Sequence, residues 1–111
     1  MFTKHNSEGF IQALDGIRRK TLVYGENTLL AEFRMEKGAH LPRHAHPNEQ
    51  TGYLVMGRMR FTIGEDIFEA EAGDGWCVPS NMMHEAELLA DSLIVEVFSP
   101  VREDYLPDPT G

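Results

Sequence analysis

The chain has 111 residues, of which 41% are hydrophobic, 9% aromatic and 25% charged, and its formal net charge at pH 7 is -8. This length accommodates a single domain, which we expect to span residues 1–111, and the acidic balance disfavours nucleic acid and anionic membranes as partners. The apolar runs are far shorter than the about 20 residues of a membrane span, and there is no apolar stretch like that of a signal peptide. The chain has a single cysteine, Cys77, which fits a reducing compartment. We therefore expect a cytoplasmic protein.

Turn residues, Gly52 and Gly57 among them, recur every eight to twelve positions, a spacing typical of short strands. The segment from 8 to 14 fits either a helical turn or a first strand. Residues 28–35 and 58–63 alternate apolar with polar side chains, which predicts strands buried on one face. Residues 93–98 form a denser apolar run that Glu96 interrupts, as expected for a central strand. The chain is therefore predicted to be an all-β sandwich or jelly roll, with a loose tail over 107–111.

Histidine placement is the most informative chemical feature. His44 and His46 are two positions apart, so on a strand both side chains leave the same face about 7 Å from each other. Gln50 follows, and His84 lies on a distant segment. Three imidazoles and a side-chain oxygen suit a divalent transition metal, although two histidines at this spacing also arise by chance.

The residues around these histidines resemble both motifs of the cupin superfamily. Residues 38–57 read G-x5-H-x-H-x3-Q-x6-G, with Gln50 where glutamate is usual, and residues 73–84 read G-x5-P-x-N-x2-H. Asn81 replaces the usual glycine of the second motif, a mild change because asparagine tolerates a left-handed backbone. The resemblance, which covers about residues 28–100, implies a double-stranded β-helix, the cupin jelly roll barrel. It also implies a metal held by four side chains, those of His44, His46, Gln50 and His84.

A second resemblance narrows the function. Residues 98–106 read F-S-P-V-R-E-D-Y-L, which closely resembles the F-S-P-x-R-E-D-[FY]-L signature of the pectin degradation protein family, the KdgF-type cupins. That resemblance implies an enzyme that linearises 4,5-unsaturated uronate monosaccharides to open-chain 4-deoxy-5-keto uronates. It further implies that Arg102 binds the substrate carboxylate, that Phe98 forms an apolar wall against the sugar ring, and that Glu96 takes the place of a family aspartate that acts as general base.

Three points stay open at the level of sequence. Glu96 fits either the catalytic role or a structural ion pair with Arg58 or Arg60 inside the barrel. Glu49 competes with Gln50 as the fourth ligand, since a loop shift of one residue would exchange them. The metal is one divalent transition ion, and zinc, nickel, iron and manganese all suit the ligands.

Two other classes of function compete with the uronate enzyme. One is a cupin dioxygenase, disfavoured because Gln50 replaces the carboxylate ligand of the usual oxygenase site. The other is a non-catalytic sugar-binding module, which would bind ligand without turnover. Under the leading interpretation the partner is a small anionic sugar, and small cupins commonly pair, so a homodimer is expected.

The remaining marked residues have plainer interpretations. The barrel core is expected to include Met35, Met56, Met59 and Trp76. Tyr53 and Met83 are candidates for either the core or the lining of the cavity beside the ligands. Cys77 is expected to be a small buried residue. The basic run from Arg18 to Lys20 is expected to be a solvated edge that discourages strand aggregation.

Overall fold

A computed structural model describes residues 1–107. Its strands are β1 Ile11–Leu14, β2 Ile17–Tyr24, β3 Leu29–Met35, β4 His40–His44, β5 Glu49–Met56, β6 Arg58–Ile63, β7 Asp66–Glu71, β8 Gly75–Val78, β9 His84–Leu88 and β10 Ser92–Ser99. A single 3-10 turn, Glu103–Tyr105, follows β10 and is the only helical element in this range. The segment from 8 to 14 thus contains a strand, which settles the alternative left open by its sequence.

The strands form two antiparallel sheets. The first has the order β1-β2-β3-β10-β5-β8, and the second has the order β4-β9-β6-β7. Two packed sheets of this kind confirm the predicted cupin jelly roll. β10 lies between β3 and β5, so the run from 93 to 98 is the central strand that its composition predicted.

Alternating side chains build the core between the sheets. Along β3, every second residue from Leu29 to Met35 is buried, and along β10 every second residue from Ser92 to Phe98 is buried. Because a strand has a period of two, a single register decides which residues face the interior. The same rule sends Glu96 inward and places a carboxylate in the core.

The turn before β9 has the backbone predicted for it. Asn81 has a φ of 64°, in the left-handed region that asparagine tolerates better than most residues. Its backbone N–H donates to the carbonyl of His46 at 2.8 Å. The turn that leads to His84 is thereby tied to the loop that carries His46.

Several predicted positions differ from the structure. Met56 was expected in the core but is 56% exposed, and Cys77 is exposed rather than buried because it lies on the outer face of β8. Gly52 served as a turn signal, yet it lies within β5. Residues 108–111 of the predicted loose tail lie outside the described residues.

The basic run on β2 is not a uniformly solvated edge. Arg18 is exposed, but Arg19 is half-buried with its guanidinium 4.0 Å from the centre of the Tyr105 ring. Lys20 is buried and its ammonium donates to the side-chain oxygen of Asn6 at 2.8 Å. Alternation explains the error, because three consecutive residues of a strand cannot all face the same solvent.

Within residues 1–107, no helix is long and apolar enough to cross a membrane.

Candidate metal centre and substrate pocket

Three histidines from separate parts of the chain meet between the sheets. His44 ends β4, His46 lies in the following loop, and His84 begins β9 as the register partner of His44. The imidazole centroids lie 4.2 Å apart for His44 and His84, 5.0 Å for His46 and His84, and 5.7 Å for His44 and His46. One ring nitrogen of each histidine lies within 4.8 Å of the others, the arrangement of a metal site.

Backbone carbonyls fix which nitrogen of each ring is free. Each Nδ1 lies 2.8 or 2.9 Å from a carbonyl oxygen two residues away. These carbonyls belong to Pro42 for His44, to Asn48 for His46 and to Met82 for His84. A carbonyl only accepts, so each Nδ1 carries the hydrogen and each Nε2 keeps a lone pair, the state in which histidine binds a metal.

Two further observations, one at His84 and one at His46, test whether a metal fits these residues. His84 Nε2 is buried and has no hydrogen-bond partner among the described residues, a costly arrangement for a polar atom. His46 Nε2 lies 2.9 Å from Gln50 Oε1, so two acceptors face each other. Ligand atoms about 2.1 Å from one ion and at right angles to each other are about 3 Å apart. The residues therefore fit a divalent cation.

The structure also separates the two candidates for the fourth ligand. Gln50 is buried and touches His46, whereas its neighbour Glu49 is exposed on the opposite face of β5. Gln50 thus joins the histidines, and Glu49 does not.

The surroundings of His46 and His84 favour their neutral forms. Burial lowers the pKa of His84 to about 4, with smaller contributions from the neighbouring histidines and Arg102. Burial also lowers the pKa of His46, and the positive charge of Arg102 lowers it further. Neutral imidazoles are ready to bind a cation near pH 7.

Arg102 is held in place by the turn that follows it. Its Nε and Nη2 donate to the two carboxylate oxygens of Asp104 at 3.1 and 2.7 Å, and its Nη1 donates to the Tyr105 hydroxyl at 3.1 Å. A guanidinium has five N–H hydrogens, so two remain after these three bonds. The side chain is 16% exposed, and the two remaining donors are what it can offer a ligand.

Aromatic rings support this guanidinium. Arg102 lies 4.0 Å from the centre of the Tyr105 ring and 5.1 Å from that of Phe98. Phe98 is 1% exposed and packs edge-on against His46, with 5.7 Å between ring centroids. Such burial leaves Phe98 little surface that a sugar ring could contact. In the structure Phe98 packs against His46 and Arg102 instead of forming the predicted apolar wall.

Glu96 lies in the interior with one unpaired oxygen. The Trp76 indole N–H donates to Oε1 at 3.1 Å, and Oε2 is buried without a partner among the described residues. Burial raises the pKa of Glu96 to about 8, and the nearby Gln50 amide and Trp76 indole offset only part of that effect. The ion pair with Arg58 or Arg60 does not form, since these arginines pair with Glu69 and Glu87 on the second sheet.

Gly52 makes the contact between Trp76 and Glu96 possible. Gly52 lies in β5 between its register partners, Glu96 of β10 and Trp76 of β8. A β-carbon at Gly52 would overlap Glu96 Oε2 and the Trp76 indole nitrogen. The role of neither Gly52 nor Trp76 was recognised from sequence, although a glycine inside a strand often marks such a close approach.

Two predicted cavity residues lie elsewhere or at the margin. Tyr53 is 48% exposed and pairs with Val95 on the outer face of the first sheet, so its prediction as a substrate-binding residue is wrong. Met83 is 40% exposed next to His84, and its proposed contact with a substrate stays a prediction.

Comparison with known proteins agrees with this site. The model of the cupin domain family matches residues 31–99, which include all three histidines, Gln50 and Glu96. The chain belongs to the cupin family. This cupin is 29% identical over 94 residues to the pectin degradation protein KdgF of Dickeya dadantii strain 3937, covering 83% of this chain and 86% of that protein.

Two solved structures resemble this cupin over nearly its whole length. One is KdgF from a Halomonas species, with a TM-score of 0.90, 28% identity and coverage of 96% of this chain and 98% of that one. The other is an RmlC-like cupin from Shewanella frigidimarina NCIMB 400, with a TM-score of 0.89, 27% identity and 95% coverage of both chains. The predicted resemblance to KdgF-type cupins is therefore confirmed.

Proposed function

We propose that this cupin is a metal-dependent enzyme that opens the ring of 4,5-unsaturated uronate monosaccharides to give open-chain 4-deoxy-5-keto uronates. The observation that carries the proposal is that Phe98 lies against both His46 and Arg102, which brings the guanidinium close to the histidine cluster. A cation site without an anionic ligand next to a guanidinium suits a small substrate that carries a carboxylate. The similarity to two proteins named KdgF supports the same substrate class. The cytoplasm is the expected location of this activity.

His44, His46, Gln50 and His84 would hold the ion. When bound, a divalent metal supplies a Lewis acid that polarises the sugar oxygens. The backbone carbonyls on the three Nδ1 atoms keep each imidazole in the tautomer and orientation that a ligand needs.

Arg102 would orient the sugar through its carboxylate. Asp104 and Tyr105 use three of its five N–H hydrogens, and the other two are free to pair with the two carboxylate oxygens. The rings of Tyr105 and Phe98 hold the guanidinium in one plane, which lowers the entropy lost when the substrate binds.

Glu96 would move the proton. Linearisation breaks the bond between the ring oxygen and the anomeric carbon, removes a proton from the anomeric hydroxyl and adds one at C4, so the product is an isomer of the substrate. One group that accepts a proton and then returns it is sufficient for this balance. Oε2 of Glu96 is available for that role, because Oε1 accepts from Trp76 and Oε2 has no hydrogen-bond partner within residues 1–107.

The direct test follows the conjugated absorbance of 4,5-unsaturated galacturonate. Purified protein loaded with zinc, nickel, iron or manganese in turn is expected to accelerate its decay above the spontaneous rate with at least one metal. Decay at the spontaneous rate with every metal would overturn the proposed function.

Arg102→Ala tests the carboxylate site in the same assay. We expect KM to rise at least about 100-fold, because a charge-assisted hydrogen bond contributes about 1.5–3 kcal/mol and two are lost. Metal affinity should stay near that of the wild type. Unchanged KM would remove Arg102 from the substrate site. Arg18→Ala is the matched control, since Arg18 is exposed on the outer face of β2.

A further inference from the structure

We infer that Asn48 is a positioning residue that fixes the place of Arg102 relative to the histidine cluster. This inference rests on the proposed function for its kinetic consequence, but its structural part concerns only the two loops that Asn48 joins. Asn48 lies between His46 and Gln50 in the loop before β5 and is 8% exposed.

The two ends of Asn48 bind the two halves of the site. Its backbone carbonyl accepts the hydrogen of His46 Nδ1 at 2.9 Å, which orients a metal ligand. Its side-chain amide donates to the carbonyl of Pro100 at 2.6 Å, 52 residues further along the chain. Pro100 is two residues before Arg102. One residue therefore links the histidine cluster directly to the segment that carries the guanidinium.

The segment after β10 has few other anchors of this kind. The 3-10 turn is closed by its own backbone bonds, from Tyr105 N–H to Arg102 O and from Leu106 N–H to Glu103 O. It is joined to β2 where the Thr21 hydroxyl donates to the carbonyl of Tyr105 at 2.5 Å. The bond to Thr21 holds the far end of the turn, and the bond to Asn48 holds the end next to Arg102.

The two bonds of Asn48 can be separated by mutation. Asn48→Leu keeps the backbone carbonyl and a side chain of similar size, but it cannot donate to Pro100. Loss of this part-buried hydrogen bond removes an interaction that ties the segment to the loop before β5, so the segment from 100 to 106 should open more often. The histidine cluster should be unaffected, because the carbonyl of residue 48 still accepts from His46.

Amide hydrogen exchange of the full chain tests the inference without a substrate. In Asn48→Leu, we expect the amides of Tyr105 and Leu106 to exchange at least about tenfold faster than in the wild type, while β9 exchanges as before. Zinc affinity, measured by competition with a chelator, should fall less than about tenfold. A larger fall is what loss of the hydrogen-bond partner of a metal ligand would cause. With unsaturated galacturonate, KM should rise by about tenfold with kcat within a factor of about three.

Ser80→Ala is the matched control. Its hydroxyl donates to the carbonyl of Pro47 at 2.5 Å, in the same loop, but it does not touch the segment after β10. Exchange of Tyr105 and Leu106 should be unchanged in this variant. Asn48→Ala provides a second test that does not require a leucine to fit.

Three results would overturn the inference. Unchanged exchange at Tyr105 and Leu106 in both Asn48 variants would show that Asn48 does not hold the segment. Zinc affinity that falls as steeply as exchange rises would show that the bond to Pro100 does not act on Arg102 separately from the histidine cluster. Faster exchange with unchanged KM in an active enzyme would remove its role in placing Arg102. Wild-type protein inactive on every uronate would refute the proposed function, and exchange and zinc affinity would still decide whether Asn48 links the two loops.

Discussion

Replacing His84 with alanine is expected to lower zinc affinity at least about 100-fold and to abolish turnover of unsaturated uronates. Loss of a mere hydrogen-bond partner of a ligand costs about 10- to 100-fold in affinity, and loss of the ligand itself should cost more. His84 Nε2 is the buried nitrogen without a partner, so a cation is what would compensate it. Competition with a chelator measures the affinity directly.

Thermal unfolding gives a second measure of the same change. Zinc at about 100 times its Kd should raise the free energy of unfolding of the wild type by about 2.7 kcal/mol, and this gain should vanish in His84→Ala. His40→Ala is the control, because His40 is exposed and contacts only Glu85 at 3.6 Å among charged partners in the described chain. Wild-type zinc affinity in His84→Ala would place the ion elsewhere.

The ligands could be predicted because their signal is largely local. His44, His46 and Gln50 lie within seven consecutive residues, so they stay close to one another even though His46 lies in the loop after β4 and not on a strand. His84 was placed with them only by resemblance to a family, since its contact with His44 depends on the register of β4 and β9. Periodicity within one strand carries no information about such a register.

The errors on β5 have the opposite cause. The sequence did not show which face of the sheet each residue of this strand takes. Gln50, Gly52 and Leu54 face the interior because β10 pairs Gln50 with Phe98 and Gly52 with Glu96. Tyr53 therefore faces outward, and so does Glu49. One known cross-strand contact would have placed Tyr53 on the outer face and decided between Glu49 and Gln50.

Asn48 and Arg19 were missed because their partners are distant in sequence. Asn48 binds Pro100, and Arg19 stacks on Tyr105. In the sequence, asparagine in a loop and arginine in a basic run indicate solvent. Only the closure of the barrel, which brings β2 and the loop before β5 to the segment after β10, gives them partners.

Glu96→Gln is expected to lower kcat about 10²- to 10⁴-fold, the usual contribution of a positioned acid or base. Glutamine has nearly the same shape and its oxygen can still accept from the Trp76 indole, but it cannot carry a proton between the anomeric hydroxyl and C4. KM and zinc affinity should change little, since Arg102 and the histidines remain. Steady-state kinetics and the chelator assay separate these effects.

Two controls distinguish proton transfer from damage to the barrel. Glu96→Asp keeps a carboxyl group, so it should retain far more activity than Glu96→Gln. Metal-free Glu96→Gln should be at least as stable as the wild type above pH 8, because burial raises the pKa of Glu96 to about 8 in the folded state. Because the carboxyl group has a higher pKa in the folded than in the unfolded protein, the wild type loses folding stability as pH rises from the unfolded pKa to the folded pKa. A neutral amide at this position does not titrate, so the variant avoids this loss. If Glu96→Gln kept more than about a tenth of the wild-type kcat, another group would have to move the proton.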